Sequence, residues 1–400
     1  RQTDRQTDRQ TDRQTDRQNS HKERESGIEL LKIIAMAMIV ISHVAQTFGT
    51  GHSGLLLECH VSVLNDYFAN FKFATSNMQY FIVALFRHFG ALGNDIFFIC
   101  SAWFLVDSHG FKGKKVIQML LDVWLISVCI LIAFYMFHSP LTGKQIIKSF
   151  FPTTFANNWY ITLYIIIYAI HPYLNKIFES FSKSKMLATI FLASFLYLAL
   201  RTIKTSLFFS SELITYVVIY FDVAYVKRYL PILSSKCKLN AGILVCSSAV
   251  LIGLVILMNY LGLRYSIFSN KLLHFNTNQD ILIILMAFSL FNIFRHRIFV
   301  NRFINYISSL TLFIYIIHEN LLVREILRPL VFVWIKDHYG YGHIVLWVLL
   351  FAFALFAITT LLSTIYKASV EKVTKRIADR IYAFVMSHYE GVFNNVINLR

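Results

Sequence analysis

Apolar runs of roughly twenty residues alternate with short polar segments along most of the chain, beginning at residue 28. A helix of about 20 apolar residues is long enough to cross the hydrocarbon core of a bilayer. The pattern therefore predicts an all-α, polytopic membrane bundle of about ten transmembrane helices. The predicted spans are 28–48, 80–106, 115–137, 158–176, 186–203, 210–227, 241–262, 279–294, 303–322 and 343–366.

Composition and charge agree with a membrane protein. Of the 400 residues, 56% are hydrophobic and only 15% are charged, which excludes an ordinary soluble globular domain. The net charge of +16 includes basic clusters in short loops that share one side of the predicted bundle. The positive-inside rule places these loops in the cytoplasm, and an even number of spans places both termini there. The charge thus indicates topology and attraction to anionic membrane lipid, and no nucleic-acid partner is predicted.

The first segment, residues 1–26, is a polar tail built on a tandem Arg-Gln-Thr-Asp repeat. Nothing in the repeat can be buried, so disorder is predicted, and the missing initiating methionine suggests that the true start lies elsewhere. The repeat can be encoded by an uninterrupted run of the tetranucleotide GACA, which would slip during replication and produce phase variation. A featureless polar tail is the alternative interpretation.

The last segment, residues 367–400, shows apolar residues at helical spacing opposite a charged face, which predicts an amphipathic helix on the inner membrane surface. Residues 27–366 between the two tails form the predicted transmembrane domain. The five cysteines show neither a disulfide framework nor metal-ligand spacing, and Cys59 alone falls in a predicted outer loop. No metal is therefore predicted.

The first apolar span carries two ionisable residues, Lys32 and His43. Eleven residues make about three helical turns, so both side chains lie on one face, separated by about 16 Å of rise. An imidazole inside a membrane is costly and can exchange a proton near neutral pH, which indicates a functional site. The alternative is a histidine that hydrogen-bonds to a neighbouring helix.

The spacing of a basic residue, ten intervening residues and a histidine resembles the first helix of the acyltransferase-3 family of membrane O-acyltransferases. Lysine stands here where arginine is the commoner family residue. Residues 93–105 (Gly-Asn-Asp-Ile-Phe-Phe-Ile-Cys-Ser-Ala-Trp-Phe-Leu) are similar to the second-helix signature, with Ala102 in place of the usual glycine.

Two later segments extend the resemblance, which covers about residues 27–366. Residues 157–164 (Asn-Asn-Trp-Tyr-Ile-Thr-Leu-Tyr) are similar to the aromatic start of a central family helix, followed by Pro172 and Asn175. Residues 313–320 (Phe-Ile-Tyr-Ile-Ile-His-Glu-Asn) are similar to the late helix in which the family places a second histidine. The shared order of the four segments identifies the chain as a member of this family.

The resemblance implies transfer of an acyl group, commonly acetyl, to an exported glycan or lipid in the bacterial cytoplasmic (inner) membrane. Acetyl-CoA is the expected donor, and a sugar hydroxyl of a lipid-linked or exported glycan is the expected acceptor. His43 is the candidate general base or transient acyl carrier. Because no Gly-x-Ser-x-Gly elbow is present, direct attack by the acceptor hydroxyl is the simpler mechanism. His318 and Asp95 are further catalytic candidates, and Asp95 either orients an imidazole or pairs with a basic residue.

The remaining candidates concern binding. Lys32 is predicted to hold a donor phosphate, and Glu29, three residues earlier, either positions Lys32 or merely neutralises it. Trp159, Glu319 and Arg324 are candidates for the acceptor sugar, although an interfacial tryptophan and a mutually satisfied ion pair are the alternatives. The competing function is a transporter or flippase of a glycan-lipid intermediate, since a polar core also suits transport.

Overall fold

The computed structural model describes residues 25–49, 78–108, 110–203, 211–268, 271, 273–340 and 342–397. Of these, 84% are helical and none lies in a strand, so the predicted all-α fold is confirmed. The repeat of the N-terminal tail and the predicted loop around Cys59 lie outside the described residues.

The helices run in chain order with short connections between most of them. Their bounds are α1 Ser26–Gly49, α2 Met78–Phe86, α3 His88–Leu105, α4 Gly113–Met136, α5 Gly143–Phe150, α6 Trp159–Ser180, α7 Lys183–Ile203, α8 Glu212–Tyr229, α9 Pro231–Ser235, α10 Cys237–Arg264, α11 Ile281–Arg295, α12 Arg302–His318, α13 Val323–Tyr339, α14 Ile344–Ser369 and α15 Glu371–Ile397.

Within the described residues, seven helices are long and apolar enough to span a membrane, and α12 with α13 would make an eighth if this pair, bent by 65°, is one span. The predicted number of ten is therefore not confirmed. Helix α11 has only 15 residues. Helix α8 carries charged side chains: Asp222 accepts a hydrogen bond from Ser194 at 3.1 Å, and Arg228 forms an exposed pair with Glu179 at 3.0 Å.

Helix α1 lies at the centre of the bundle. Leu31 and Ala35 pack into an apolar cluster with α3, α6, α8 and α11, whereas Met36 and Ile39 pack into a second cluster with α12 and α14. Lys32 and His43 share the face of α1 that carries Met36 and Ile39. Two apolar clusters thus hold the predicted functional helix.

Close packing of α1 against α3 depends on two glycines. A methyl group on Gly93 would lie 2.7 Å from the carbonyl oxygen of Ala35, and one on Gly90 would lie 2.5 Å from Oγ of Ser42. Small residues allow membrane helices to approach each other this closely. The start of α3 is thereby fixed beside the His43 turn of α1.

The C-terminal helix predicted from the sequence is observed as α15, which packs against α4. Thr374 donates a hydrogen bond to the buried Asp122 of α4 at 2.8 Å, and Lys114 pairs with Asp379 at 3.3 Å. These contacts tie α15 to one end of the bundle.

Candidate active site

His43 lies in a buried network of charged and polar side chains. Its Nδ1 atom is 2.8 Å from Oε2 of Glu319 and 3.0 Å from Nε2 of His318. Glu319 lies at the break between α12 and α13, directly after His318, so one short segment supplies both partners. The sequence candidates His43, His318 and Glu319 are therefore brought together.

Two arginines surround the Glu319 carboxylate. Arg324 donates to Oε1 at 3.2 Å, and Arg328 donates to Oε2 at 3.2 Å. A buried carboxylate needs such partners because burial without them would cost several kcal/mol, on the order of 3–5. The arginines thus hold Glu319 in its ionised form next to His43.

The hydrogen bonds assign the histidine tautomers. Nδ1 of His318 lies 2.8 Å from the carbonyl oxygen of Ile314, so it must donate, and Nε2 of neutral His318 is then an acceptor. Both partners of His43 Nδ1 are therefore acceptors, and Nδ1 must carry the proton. Neutral His43 consequently has its lone pair on Nε2, which is the arrangement of an oriented general base.

A cavity of about 700 Å³ lies beside this network. It is lined by His43, Trp159, Glu319 and Arg324, so three predicted sugar-binding residues share a wall with the candidate base. A volume of this size is typical of small-molecule sites, for which about 300–1,000 Å³ is usual. This space is called the His43 cavity below.

Lys32 lines two other cavities, of about 210 and 670 Å³, which also share Ser101, Lys115 and Tyr164. Its Nζ is 3.3 Å from Oε1 of Glu29, and Ser308 donates to Oε2 of Glu29 at 2.5 Å. Glu29 therefore positions Lys32 and is itself anchored to α12. These two spaces together are called the Lys32 cavities.

The Lys32 and His43 cavities lie end to end along three helices. Helix α1 contributes Ile39 to the smaller Lys32 cavity and His43, one turn later, to the other. In α6, Tyr160 lines the smaller Lys32 cavity and its neighbour Trp159 lines the His43 cavity. Likewise, Tyr315 of α12 lines the smaller Lys32 cavity, and Glu319, directly after α12, lines the His43 cavity. Tyr160 and Tyr315 contact each other, with ring centroids 5.9 Å apart, on the wall of the smaller Lys32 cavity.

Asp95 does not contact the imidazoles. It is fully buried, accepts a hydrogen bond from Tyr216 at 3.2 Å, and is not among the residues that line the His43 cavity. Its neighbour Asn94 lines that cavity instead. Glu319 therefore takes the position beside His43 for which Asp95 was a candidate.

Arg328, which is buried against Glu319, was not among the residues predicted from the sequence. Its spacing of four residues from Arg324 in an apolar segment could have indicated it, because residues four apart share a helix face. Asn175 was also without a predicted role. Asn175 donates to the carbonyl oxygens of Leu105 and Ser108, both at 3.0 Å, and so satisfies the end of α3.

His43, His318 and Glu319 each offer a ligand atom, and these atoms lie within 4.8 Å of one another. Their spacing would also suit a divalent cation. However, both Glu319 oxygens already accept hydrogen bonds from arginines, whose positive charge opposes a cation at this position. The donor set therefore fits a proton relay better than a metal centre.

Comparison with known families agrees with the resemblance found in the sequence. Residues 25–367 match the sequence model of the acyltransferase-3 family, which is described as an acyltransferase domain. No curated protein and no solved structure gives a significant match. Since the match covers most of the chain and the helices fit a multi-pass membrane protein, the chain belongs to the acyltransferase-3 family and is a membrane acyltransferase.

Proposed function

We propose that this protein transfers an acetyl group from acetyl-CoA to a sugar hydroxyl of a cell-surface polysaccharide or glycolipid. His43 acts as the general base, and the bacterial cytoplasmic membrane is the site of the reaction. The observation that supports this most strongly is the His43–Glu319 pair at the wall of a polar cavity, in line with the Lys32 cavities.

The acyl transfer is a single displacement. Nε2 of His43 takes the proton of the acceptor hydroxyl while its oxygen attacks the thioester carbonyl carbon. The C–S bond then breaks, and the imidazolium returns the proton to the departing thiolate of CoA. Glu319 stabilises the imidazolium, and Arg324 and Arg328 keep Glu319 ionised throughout.

The donor occupies the Lys32 cavities. Lys32 and Lys115 line both, so they place positive charge where the phosphates of acetyl-CoA would lie. The thioester arm then extends towards Tyr160 and Tyr315 and reaches His43. Because no Gly-x-Ser-x-Gly elbow is present, direct transfer is proposed. A transient acyl-histidine is the alternative if donor and acceptor reach His43 from opposite sides.

The acceptor occupies the His43 cavity. Trp159 offers an aromatic face, and Arg324 offers hydrogen-bond donors beside the base. Sugars combine apolar ring faces with dense hydroxyl groups, and this lining offers a partner to each. This cavity lies at the end of α1 that is remote from Lys32. Under the positive-inside topology, that end of the helix faces the outer side of the membrane.

Isolated membranes and labelled acetyl-CoA test the proposal. Wild-type membranes should transfer label to envelope glycan as a base-labile ester, and His43→Ala should abolish the transfer. His338→Ala is the matched control, because His338 is exposed and bonds to the carbonyl oxygen of Trp334. Equal transfer by both variants would exclude His43 as the base. Movement of glycan-lipid across the membrane without acetyl transfer would instead support a flippase.

A further inference from the structure

Three arginines line the His43 cavity, and one of them differs from the others. Arg324 pairs with Glu319 at 3.2 Å, and Arg201 pairs with Glu212 at 3.9 Å. Within the part of the chain that the structure describes, Arg87 has no carboxylate within 4 Å, and its buried Nε has no hydrogen-bond partner. Among the described residues, no carboxylate therefore compensates its positive charge.

Arg87 is held at a fixed position relative to the candidate base. Ser42, which precedes His43, donates a hydrogen bond to the carbonyl oxygen of Arg87 at 2.8 Å. Gly90 packs directly against the same serine. The backbone of Arg87 therefore lies at the junction of α2 and α3 and is hydrogen-bonded to the residue next to His43. Arg87 does not belong to a free surface loop.

Other polar groups on this wall also lack partners among the described residues. Both side-chain polar atoms of Gln279 are buried without a hydrogen bond, although only 1% of the residue is exposed. The Oδ1 atom of Asn94 is likewise buried without a hydrogen bond. Both residues line the His43 cavity, although these particular atoms are covered. Buried polar groups in proteins are nearly always satisfied, so a ligand would supply the missing partners once the two side chains turn towards the cavity.

We infer that the acceptor is anionic, and that Arg87 binds its carboxylate or phosphate while Gln279 and Asn94 bind neighbouring hydroxyl groups. A guanidinium that lacks a counter-ion is costly in a partly buried site and is matched by a bidentate anion. This assignment rests on the proposed glycan acceptor. Neutral glycans should consequently be poor substrates, because they carry no negative charge to compensate the guanidinium of Arg87.

The test uses envelope glycan from the source cells, stripped of esters with mild alkali. One portion is left intact, a second has its carboxylates reduced to alcohols, and a third has its phosphate esters removed with hydrofluoric acid. Purified wild type, Arg87→Gln and Arg87→Lys are compared by acetyl transfer to each portion. Arg264→Gln is the matched control, because Arg264 stacks on Tyr260 at the end of α10 and does not line the cavity.

Wild type and Arg264→Gln should lose about ten-fold or more of their activity on one treated glycan only, which identifies carboxylate or phosphate as the recognised group. On intact glycan, Arg87→Gln should be as slow as wild type is on that treated glycan. On the treated glycan, Arg87→Gln should be no slower than it is on intact glycan. Arg87→Lys should recover part of the preference. This loss of discrimination separates binding from a merely structural effect of the substitution.

Two results would overturn the inference. Wild type could acetylate all three portions equally, or Arg87→Gln could slow transfer to all three by the same factor. In either case the proposed acetyl transfer to glycan would still stand. Absence of transfer to intact glycan by wild type would instead contradict the proposed function, and the assignment of Arg87 would fall with it.

Discussion

At the scale of single residues, the site depends on one imidazole whose protonation state is set by its neighbours. Nδ1 of His43 faces two acceptors, Glu319 at 2.8 Å and His318 at 3.0 Å, so the lone pair is confined to Nε2. Lys32 is the corresponding charge at the far end of the same helix face and is positioned by Glu29.

Glu319→Gln tests the role of the carboxylate. The amide can still accept a hydrogen bond from His43, but it cannot stabilise the imidazolium by charge. We expect kcat to fall about 100-fold or more, with little change in KM for acetyl-CoA. The measurement is steady-state transfer by purified enzyme of confirmed thermal stability, because Arg328 also loses its counter-ion. A nearly unchanged kcat in a folded variant would exclude the pair from catalysis.

Lys32→Gln tests the donor site. Loss of the charge should raise KM for acetyl-CoA about ten-fold and leave KM for the acceptor unchanged, since a charge-assisted hydrogen bond to phosphate is lost. Lys32→Arg keeps the charge and is the matched control, expected to remain within about three-fold of wild type. If the glutamine variant changes KM for the acceptor instead, the two cavities have been assigned to the wrong substrates.

The sequence predicted Lys32 and His43 because eleven residues on a helix fix their shared face. It could not predict that Glu319 would partner His43, since the two residues are separated by more than half of the chain and meet only through the packing of α1 and α12. Asp95, which sits in a family-like segment, was instead the candidate for orienting an imidazole, whereas Glu319 was a candidate for binding the sugar. Only the three-dimensional structure shows that it pairs with Tyr216.

At the scale of helices, the packing of α1 against α3 positions the residues of the site. The close approach at Gly93 and Gly90 fixes both Arg87 and the His43 turn. The sequence predicted these helices well, because long apolar runs are unambiguous. The predicted number of ten spans is not confirmed among the described residues, because α11 is short and the run at 303–322 is interrupted near Glu319.

Gly93→Ala tests this frame. The added methyl would meet the backbone oxygen of Ala35 at 2.7 Å, and a backbone atom cannot rotate away. We expect destabilisation of about 1–3 kcal/mol, seen as a lower thermal midpoint in detergent. Gly253→Ala is the control, because no atom lies within 4 Å of the added methyl. Equal midpoints for the two variants would show that α1 and α3 do not pack this closely.

At the scale of the whole molecule, the cavities follow one another along α1. The Lys32 cavities lie towards one end of this helix and the His43 cavity towards the other, and the contact between Tyr160 and Tyr315 belongs to the wall of the smaller Lys32 cavity. Their arrangement could not be predicted from sequence, since each cavity is lined by residues from distant parts of the chain. We therefore expect donor and acceptor to be used from opposite sides of the membrane.

The most direct measurement uses sealed inside-out vesicles with ester-free envelope glycan trapped in the lumen. Labelled acetyl-CoA is added outside only, where the cytoplasmic face is exposed. We expect base-labile acetyl ester on the trapped glycan with wild type and none with His43→Ala at equal abundance. An unlabelled trapped glycan with wild type, or equal label with both proteins, would contradict transfer through the His43 site.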